Sequence, residues 1–77
     1  MTSIRFELPR ETTVRLEVFD LMGRRIAVLA DGPLPAGYHA ADWDRRDGRG
    51  ILAPPGVYLY RLTAGDFRDQ KKMMLFK

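Results

Sequence analysis

Three aspartates near the middle of the chain have the clearest potential for metal chemistry. Asp42, Asp44 and Asp47 precede Gly48, and carboxylates near a glycine occur in calcium-binding loops. An EF-hand loop needs regular carboxylate spacing, helical flanks and a closing bidentate Glu, whereas this segment is irregular and has no following Glu. Neighbouring arginines would also compete for the carboxylates. We therefore predict that these aspartates form turns, with a calcium site as the alternative, and we expect no cofactor.

The chain contains few combinations of residues that could support catalysis. Asp42 and Asp44 would lie roughly 6.5–7 Å apart on one face of a strand, a separation that suits paired carboxylate chemistry. A chain of 77 residues leaves no room for a substrate cleft. The single histidine, His39, and the single serine, Ser3, could form a triad only if the N-terminus supplied the nucleophile. We predict a non-enzymatic protein, with His39 as a strand residue on the face of Trp43.

Binding of sugars or nucleic acids would require exposed aromatic or clustered basic residues. Trp43 alternates with the small residue Ala41, which favours packing in the core over exposure to a sugar. The net charge is +3, but acidic residues are interspersed among the arginines, unlike the basic clusters of OB-type barrels. We therefore expect no nucleic-acid partner and keep a carbohydrate-binding accessory module as an alternative.

Length and composition are typical of one small globular domain covering residues 1–77. Hydrophobic residues make up 45% of the chain, and there is no cysteine to form a disulfide or a zinc site. The first six residues lack the features of a signal peptide, and no apolar run approaches the roughly 20 residues of a membrane span. Such a start is expected of a domain taken from the end of a longer protein.

Alternation of apolar and polar residues predicts strands along most of the chain. In the first two strands, Ile4, Phe6 and Leu8, and then Val14, Leu16 and Val18, should face inward, with Arg15 and Glu17 outward. Phe19 interrupts the outward polar series, which indicates a covered end or a bulge. The predicted strands are 3–8, 12–20, 25–30, 38–44, 57–64 and 67–77.

Glycine and proline separate these strands. Gly23 marks a tight turn, residues 31–37 contain two prolines and two glycines and are predicted to be a loop, and 44–56 is a long polar connection. A hairpin turn is predicted at 64–66. About six strands in sequential antiparallel order at this spacing predict a sandwich or barrel.

The order of short motifs resembles the FlgD-type immunoglobulin-like domains and the similar C-terminal sorting domains (type A) of type IX secretion. The resemblance spans essentially the whole chain, and it departs from the family at Arg45, where Gly usually follows Trp-Asp. The matching segments are Ile4-Arg5-Phe6-Glu7-Leu8-Pro9, Val14-Arg15-Leu16-Glu17-Val18-Phe19-Asp20, Gly23, Pro35-Ala36-Gly37-Tyr38-His39, Trp43-Asp44, Gly56-Val57-Tyr58, Arg61-Leu62-Thr63-Ala64-Gly65 and Lys72-Met73-Met74-Leu75-Phe76-Lys77.

The resemblance implies an all-β, small antiparallel immunoglobulin-like β-sandwich of about six to seven strands. It implies a secretion signal that the outer-membrane type IX machinery recognises. The domain would follow an upstream cargo, cross the periplasm to the surface of Bacteroidetes-type bacteria or the extracellular space, and be removed by a sortase-like peptidase. A FlgD-like structural scaffold is the alternative from a different functional class.

The recognition surface is expected on the last strand. An exposed terminal strand offers unpaired backbone groups to another chain, which also makes dimerisation by edge-strand pairing conceivable. Purely structural roles stay open for both groups of residues. Gly56 and Tyr58 could be a bend followed by a core tyrosine, which is the interpretation we favour. The terminal segment could be a core strand whose lysines keep it soluble. The candidate docking residues are Gly56, Tyr58, Gly65, Lys72, Met73, Leu75 and Lys77.

Overall fold

A computed structural model describes residues 2–76, which form six β-strands and no helix. Accordingly, these residues contain no helix long and apolar enough to cross a membrane. The predicted all-β class is confirmed. The strands are β1 (Thr2–Leu8), β2 (Thr12–Phe19), β3 (Arg25–Leu34), β4 (Gly37–Trp43), β5 (Gly56–Ala64) and β6 (Phe67–Leu75).

The strands form two antiparallel sheets that pack as a small β-sandwich. One sheet contains β1 and β4, and the other has the order β3-β2-β5-β6. Only the β2–β3 and β5–β6 pairs join consecutive strands, whereas β1–β4 and β2–β5 join strands distant in sequence. The expectation of a sequential strand order is therefore wrong for these two pairs.

The core lies between the sheets and consists of two adjoining hydrophobic clusters. The predicted inward faces of β1 and β2 are confirmed, and Trp43 is only 1% exposed. The tryptophan therefore cannot serve as an exposed sugar platform. The buried members of the two clusters are Ile4, Leu8, Val14, Leu16 and Leu62 in the first, and Val18, Trp43, Tyr58 and Leu75 in the second.

Strand β3 is longer than the sequence predicts. It continues through the expected loop to Leu34, with Gly32 opposite Val14 and Pro33 opposite Thr13. An edge strand tolerates proline because its missing N–H can lie on the unpaired side of the strand. The two prolines and two glycines exclude a central strand, but β3 is an edge strand. The predicted loop at 31–37 is therefore wrong for residues 31–34 and 37, and only residues 35–36 connect the two strands.

The end of β2 departs from simple alternation, as Phe19 indicates. The β2–β3 register shifts at Leu16/Glu17 and again at Val18/Phe19. The Arg61 guanidinium covers the Phe19 ring, 4.5 Å from its centroid. The predicted bulge and covered end are thus both present.

Glu17 is buried on the outer face of β2, where an exposed residue was expected. Its Oε2 accepts a hydrogen bond of 3.3 Å from Nη1 of Arg25. Arg61 lies directly across from it on β5. The Arg25 guanidinium on the neighbouring strand therefore pairs with this carboxylate, a long-range arrangement that alternation alone does not reveal.

Candidate recognition surface

Strand β6 forms one edge of the four-stranded sheet. It pairs with β5 along its whole length, from Phe67 opposite Ala64 to Leu75 opposite Gly56. The other side of β6 has no strand partner among the described residues. The last predicted strand therefore carries a free row of backbone donors and acceptors, which can bind an extended chain.

Two of the predicted docking residues anchor β6 in the core. Leu75 is 5% exposed and packs with Val18, Trp43 and Tyr58. Met73 is half-buried and contacts both core clusters. These side chains fix the position of the strand, so they are not themselves available to a partner.

The other face of β6 points to solvent. Lys72 is exposed between two further exposed residues, Gln70 and Met74, on this face. Lys71, on the opposite face, is exposed as well. Lys77 lies outside the described residues. The accessible part of the predicted surface is therefore Lys72 with its neighbours and the adjacent backbone edge.

Gly56 and Tyr58 lie beside this segment but beneath the surface. Tyr58 is buried, its ring meets Trp43 edge to face at 5.8 Å, and its hydroxyl donates a hydrogen bond to the Pro54 carbonyl. Gly56 begins β5 with a φ of 153°. This arrangement matches the interpretation of a glycine bend followed by a core tyrosine.

Gly65 lies at the opposite end of β6 from Leu75. It is the first residue of the two-residue turn joining β5 and β6, with a φ of 60° that suits glycine at this turn position. Its N–H donates to the Thr13 carbonyl at 3.2 Å, and an added Cβ would lie 3.2 Å from Thr12 Oγ1. The predicted docking residues thus do not form one patch, because the strand separates Gly65 from the rest.

The aspartates of the 44–56 connection form turns. Asp44 Oδ1 accepts a hydrogen bond from the Arg46 N–H at 3.0 Å. Asp47 Oδ1 accepts from the N–H groups of Ile51 and Arg49 at 3.0 and 2.9 Å. These bonds, with that to Ile51 foremost, lower the pKa of Asp47 below its usual value, as does its ion pair with Arg49.

Metal binding by these aspartates has no structural support. In the part of the chain from Thr2 to Phe76, no group of three or more acidic or histidine side chains is placed to hold a metal ion. Asp42 is exposed on β4, opposite Ser3, whereas Asp44 and Asp47 point to separate backbone turns. The side-chain oxygens of Asp44 and Asp47 accept hydrogen bonds from the chain's own N–H groups.

The histidine has a structural environment. His39 stacks on Phe6 of the neighbouring strand, with 5.4 Å between ring centroids. Its Nε2 donates to the Pro35 carbonyl at 2.8 Å. The side chain lies on the same face of β4 as Trp43, as predicted, and it fixes the turn between β3 and β4.

Arg45 contributes a contact that sequence reasoning missed. Its Nη1 donates a hydrogen bond of 3.0 Å to the carbonyl oxygen of Phe76, across 31 residues. The residue has a φ of 64°, in the left-handed region that favours glycine. Arg45 therefore tethers the end of β6, and the signal that could have indicated its backbone conformation was the glycine expected at this position from the motif resemblance.

No protein-family model matches the chain, and neither a curated protein nor a solved structure is significantly similar to it.

Proposed function

We propose that this chain is a sorting domain that type IX secretion machinery recognises, so that an upstream cargo is exported to the cell surface. The observation that carries this proposal is β6: a terminal strand anchored by its inner face and free along its edge. The ordered motifs supply the identity of the machinery, and the domain itself performs no catalysis.

The physical basis is recognition by backbone pairing with a charged side chain for specificity. An edge strand held by Leu75 and Met73 is ordered before binding, so little conformational entropy is lost on docking. Lys72 is exposed on the outer face, where it can meet an acidic group of the receptor. Lysine on an edge strand also limits unwanted pairing with other chains.

The experiment fuses the chain to the C-terminus of a fluorescent carrier that has its own N-terminal signal peptide for transport into the periplasm, in a host with type IX secretion. We expect the carrier at the cell surface, accessible to added protease, whereas the carrier alone remains inside. A fusion that is stable but stays inside the cell would show that the export proposal is wrong.

The docking strand is tested separately with charge reversal. Lys72→Glu should reduce surface delivery several-fold, because it replaces the exposed cation. Arg68→Glu is the matched control, since Arg68 is exposed on the same face of the same strand but lies near the Gly65 turn. Equal export of both variants and the unmodified fusion would remove Lys72 from the recognition surface.

A further inference from the structure

Among residues 2–76, no strand pairs with the second edge of β1, and beside this edge the two sheets differ in width. The smaller sheet contains only β1 and β4, and β4 occupies one side of β1. The larger sheet extends beyond the other side of β1, because residues of β5 and β6 line the space next to it. The sandwich therefore has room for a further strand next to β1.

This space is a cleft formed by two adjoining depressions of about 510 and 210 Å³. Both are lined by Glu7 of β1, Leu62 of β5 and Phe67 of β6. Phe67 lies on the inward face of β6, opposite Ala64, yet it is 57% exposed. An inward-facing aromatic residue left exposed marks the uncovered part of the core.

We propose that this cleft binds one extended segment of a partner chain, which adds to β1 as an antiparallel strand. The free backbone edge of β1 would supply the ladder hydrogen bonds. Alternate side chains of the segment would point inward onto Leu62 and Phe67, burying apolar surface that the small sheet leaves open. The proposal goes beyond the export role, because it concerns a different strand and does not require that role.

The outward residues of β1 specify the charges of this segment. Arg5 and Glu7 are exposed on the outer face, whereas Ile4, Phe6 and Leu8 point toward the cleft and the core. Residues directly opposite one another in an antiparallel pair share a face. The occupant should therefore place an acidic residue opposite Arg5, a basic residue opposite Glu7, and apolar residues opposite the other three.

The geometry favours a single strand over a second folded copy. The sequence of β1 is itself complementary in charge to a second β1, since Arg5 could face Glu7 in both directions. In such a symmetric dimer, however, the large sheet of each copy extends past its own β1 and would reach beneath the β1 strand of the other copy. Strands β5 and β6 already occupy that space. A slender extended segment avoids this collision.

The edges of β3 and β6 are less suited to an added strand with apolar inward residues. The start of β3 is covered by the 44–56 connection, where the Gly48 N–H donates to the Ile26 carbonyl at 3.1 Å. The edge of β6 presents two lysines. The cleft beside β1 combines unpaired backbone with the exposed apolar side chain of Phe67, and this combination favours the addition of a strand with apolar inward residues.

The test uses a synthetic peptide containing Val-Lys-Ile-Glu-Val, capped at both ends and titrated into the isotope-labelled full chain under NMR observation. We expect saturable shifts of the amides of β1 and of residues 67–71, with little change in β3. The related peptide Val-Lys-Ile-Lys-Val should bind at least roughly threefold more weakly, since it places a lysine opposite Arg5. Equal affinity of the two peptides, or shifts confined to another edge, would overturn the proposal.

Protein variants separate the cleft from general effects on β6. Phe67→Lys should weaken binding roughly tenfold, the loss expected for one apolar contact. Met74→Lys is the matched control, because Met74 is 60% exposed on the opposite face of the same strand. The affinity of this variant for the peptide should equal that of the unmodified chain. Sedimentation of the free chain as a dimer that Phe67→Lys dissociates would instead assign the cleft to a second copy and overturn the single-strand proposal.

Discussion

Arg45 shows how one residue can combine a backbone requirement with a side-chain contact. Its φ of 64° lies in the left-handed region, which side chains with a Cβ disfavour. Its guanidinium nevertheless reaches the Phe76 carbonyl and holds the end of β6. The chain therefore accepts local backbone strain at a position where a long side chain can connect the loop to the terminal strand.

Two substitutions at this position separate strain from tethering. Arg45→Gly and Arg45→Ala both remove the bond to Phe76, but only glycine relieves the left-handed backbone. We expect the glycine variant to have a free energy of unfolding about 1 kcal/mol greater than the alanine variant. Urea unfolding followed by Trp43 fluorescence measures the difference, and a more stable alanine variant would contradict this account.

At the scale of elements, the same device closes two turns. Asp20 accepts hydrogen bonds from the N–H groups of Met22 and Arg24, and Asp47 accepts from Arg49 and Ile51. In each turn, an arginine also donates to the second carboxylate oxygen. The largest cause of the lowered pKa is a backbone hydrogen bond in both turns, from the Arg24 N–H to Asp20 and from the Ile51 N–H to Asp47.

These lowered pKa values predict loss of stability in acid. The ionised form of Asp47 is favoured in the folded chain, so its contribution is present above the usual value of 3.8 and is lost as pH falls through the lower folded pKa. We expect Asp47→Asn to lower the melting temperature at pH 7, and we expect the difference from the unmodified chain to shrink below pH 3.8 and to vanish once the pH lies below the lowered folded pKa of Asp47.

The control for this comparison is Asp66→Asn, which changes an exposed carboxylate in the β5–β6 turn. Its melting temperature at pH 7 should remain close to that of the unmodified chain. A gap between Asp47→Asn and the unmodified chain that widens in acid would show that the turn is not held by the ionised carboxylate.

Some elements are predictable from the sequence and others are not, because some depend on residues close together in the chain and others on residues far apart. The inward faces of β1 and β2 follow from alternation within a few residues, which is local. The pairing of β1 with β4 joins residues that are 29 to 41 positions apart, from Leu8 with Gly37 to Thr2 with Trp43, and the chain carries no local signal for it. The strand at Gly32 and Pro33 was missed because edge position, which permits proline, is itself a tertiary property.

The candidate surface was predictable to a similar degree. Alternation around Met73 and Leu75 indicates a strand with one buried face, and its position at an edge agrees with the proposed docking role. The sequence did not indicate that Gly65 lies far from the other candidate residues, because this distance depends on how far β6 extends in the structure. The cleft beside β1 left no signal in the sequence, because it depends on the unequal widths of two sheets.

At the scale of the whole molecule, β6 contributes both to the core and to the exposed edge. A chain of this length is expected to have a free energy of unfolding of only about 4–12 kcal/mol. Truncation of residues 72–77 would remove Leu75 from the second core cluster as well as Lys72 from the surface. Loss of export by such a truncation would therefore not distinguish docking from folding.

Leu75→Ala measures the core contribution of β6 directly. We expect a loss of about 2–5 kcal/mol in the free energy of unfolding, because the leucine is buried against Trp43 and Tyr58. Phe76→Ala is the adjacent control, since that side chain is 71% exposed and its backbone carbonyl can still accept from Arg45. Equal unfolding midpoints of the two variants in urea would show that β6 is not anchored through Leu75.

The non-local pairing of β1 with β4 and of β2 with β5 also has a kinetic consequence. Only two hairpins, β2–β3 and β5–β6, can form by closing short loops, and neither contains β1. Proteins with many distant pairings fold slowly, in milliseconds to seconds, because chain entropy is lost before the contacts form. During synthesis β1 must therefore wait for β4, and the sandwich is completed only after β5 and β6 leave the ribosome.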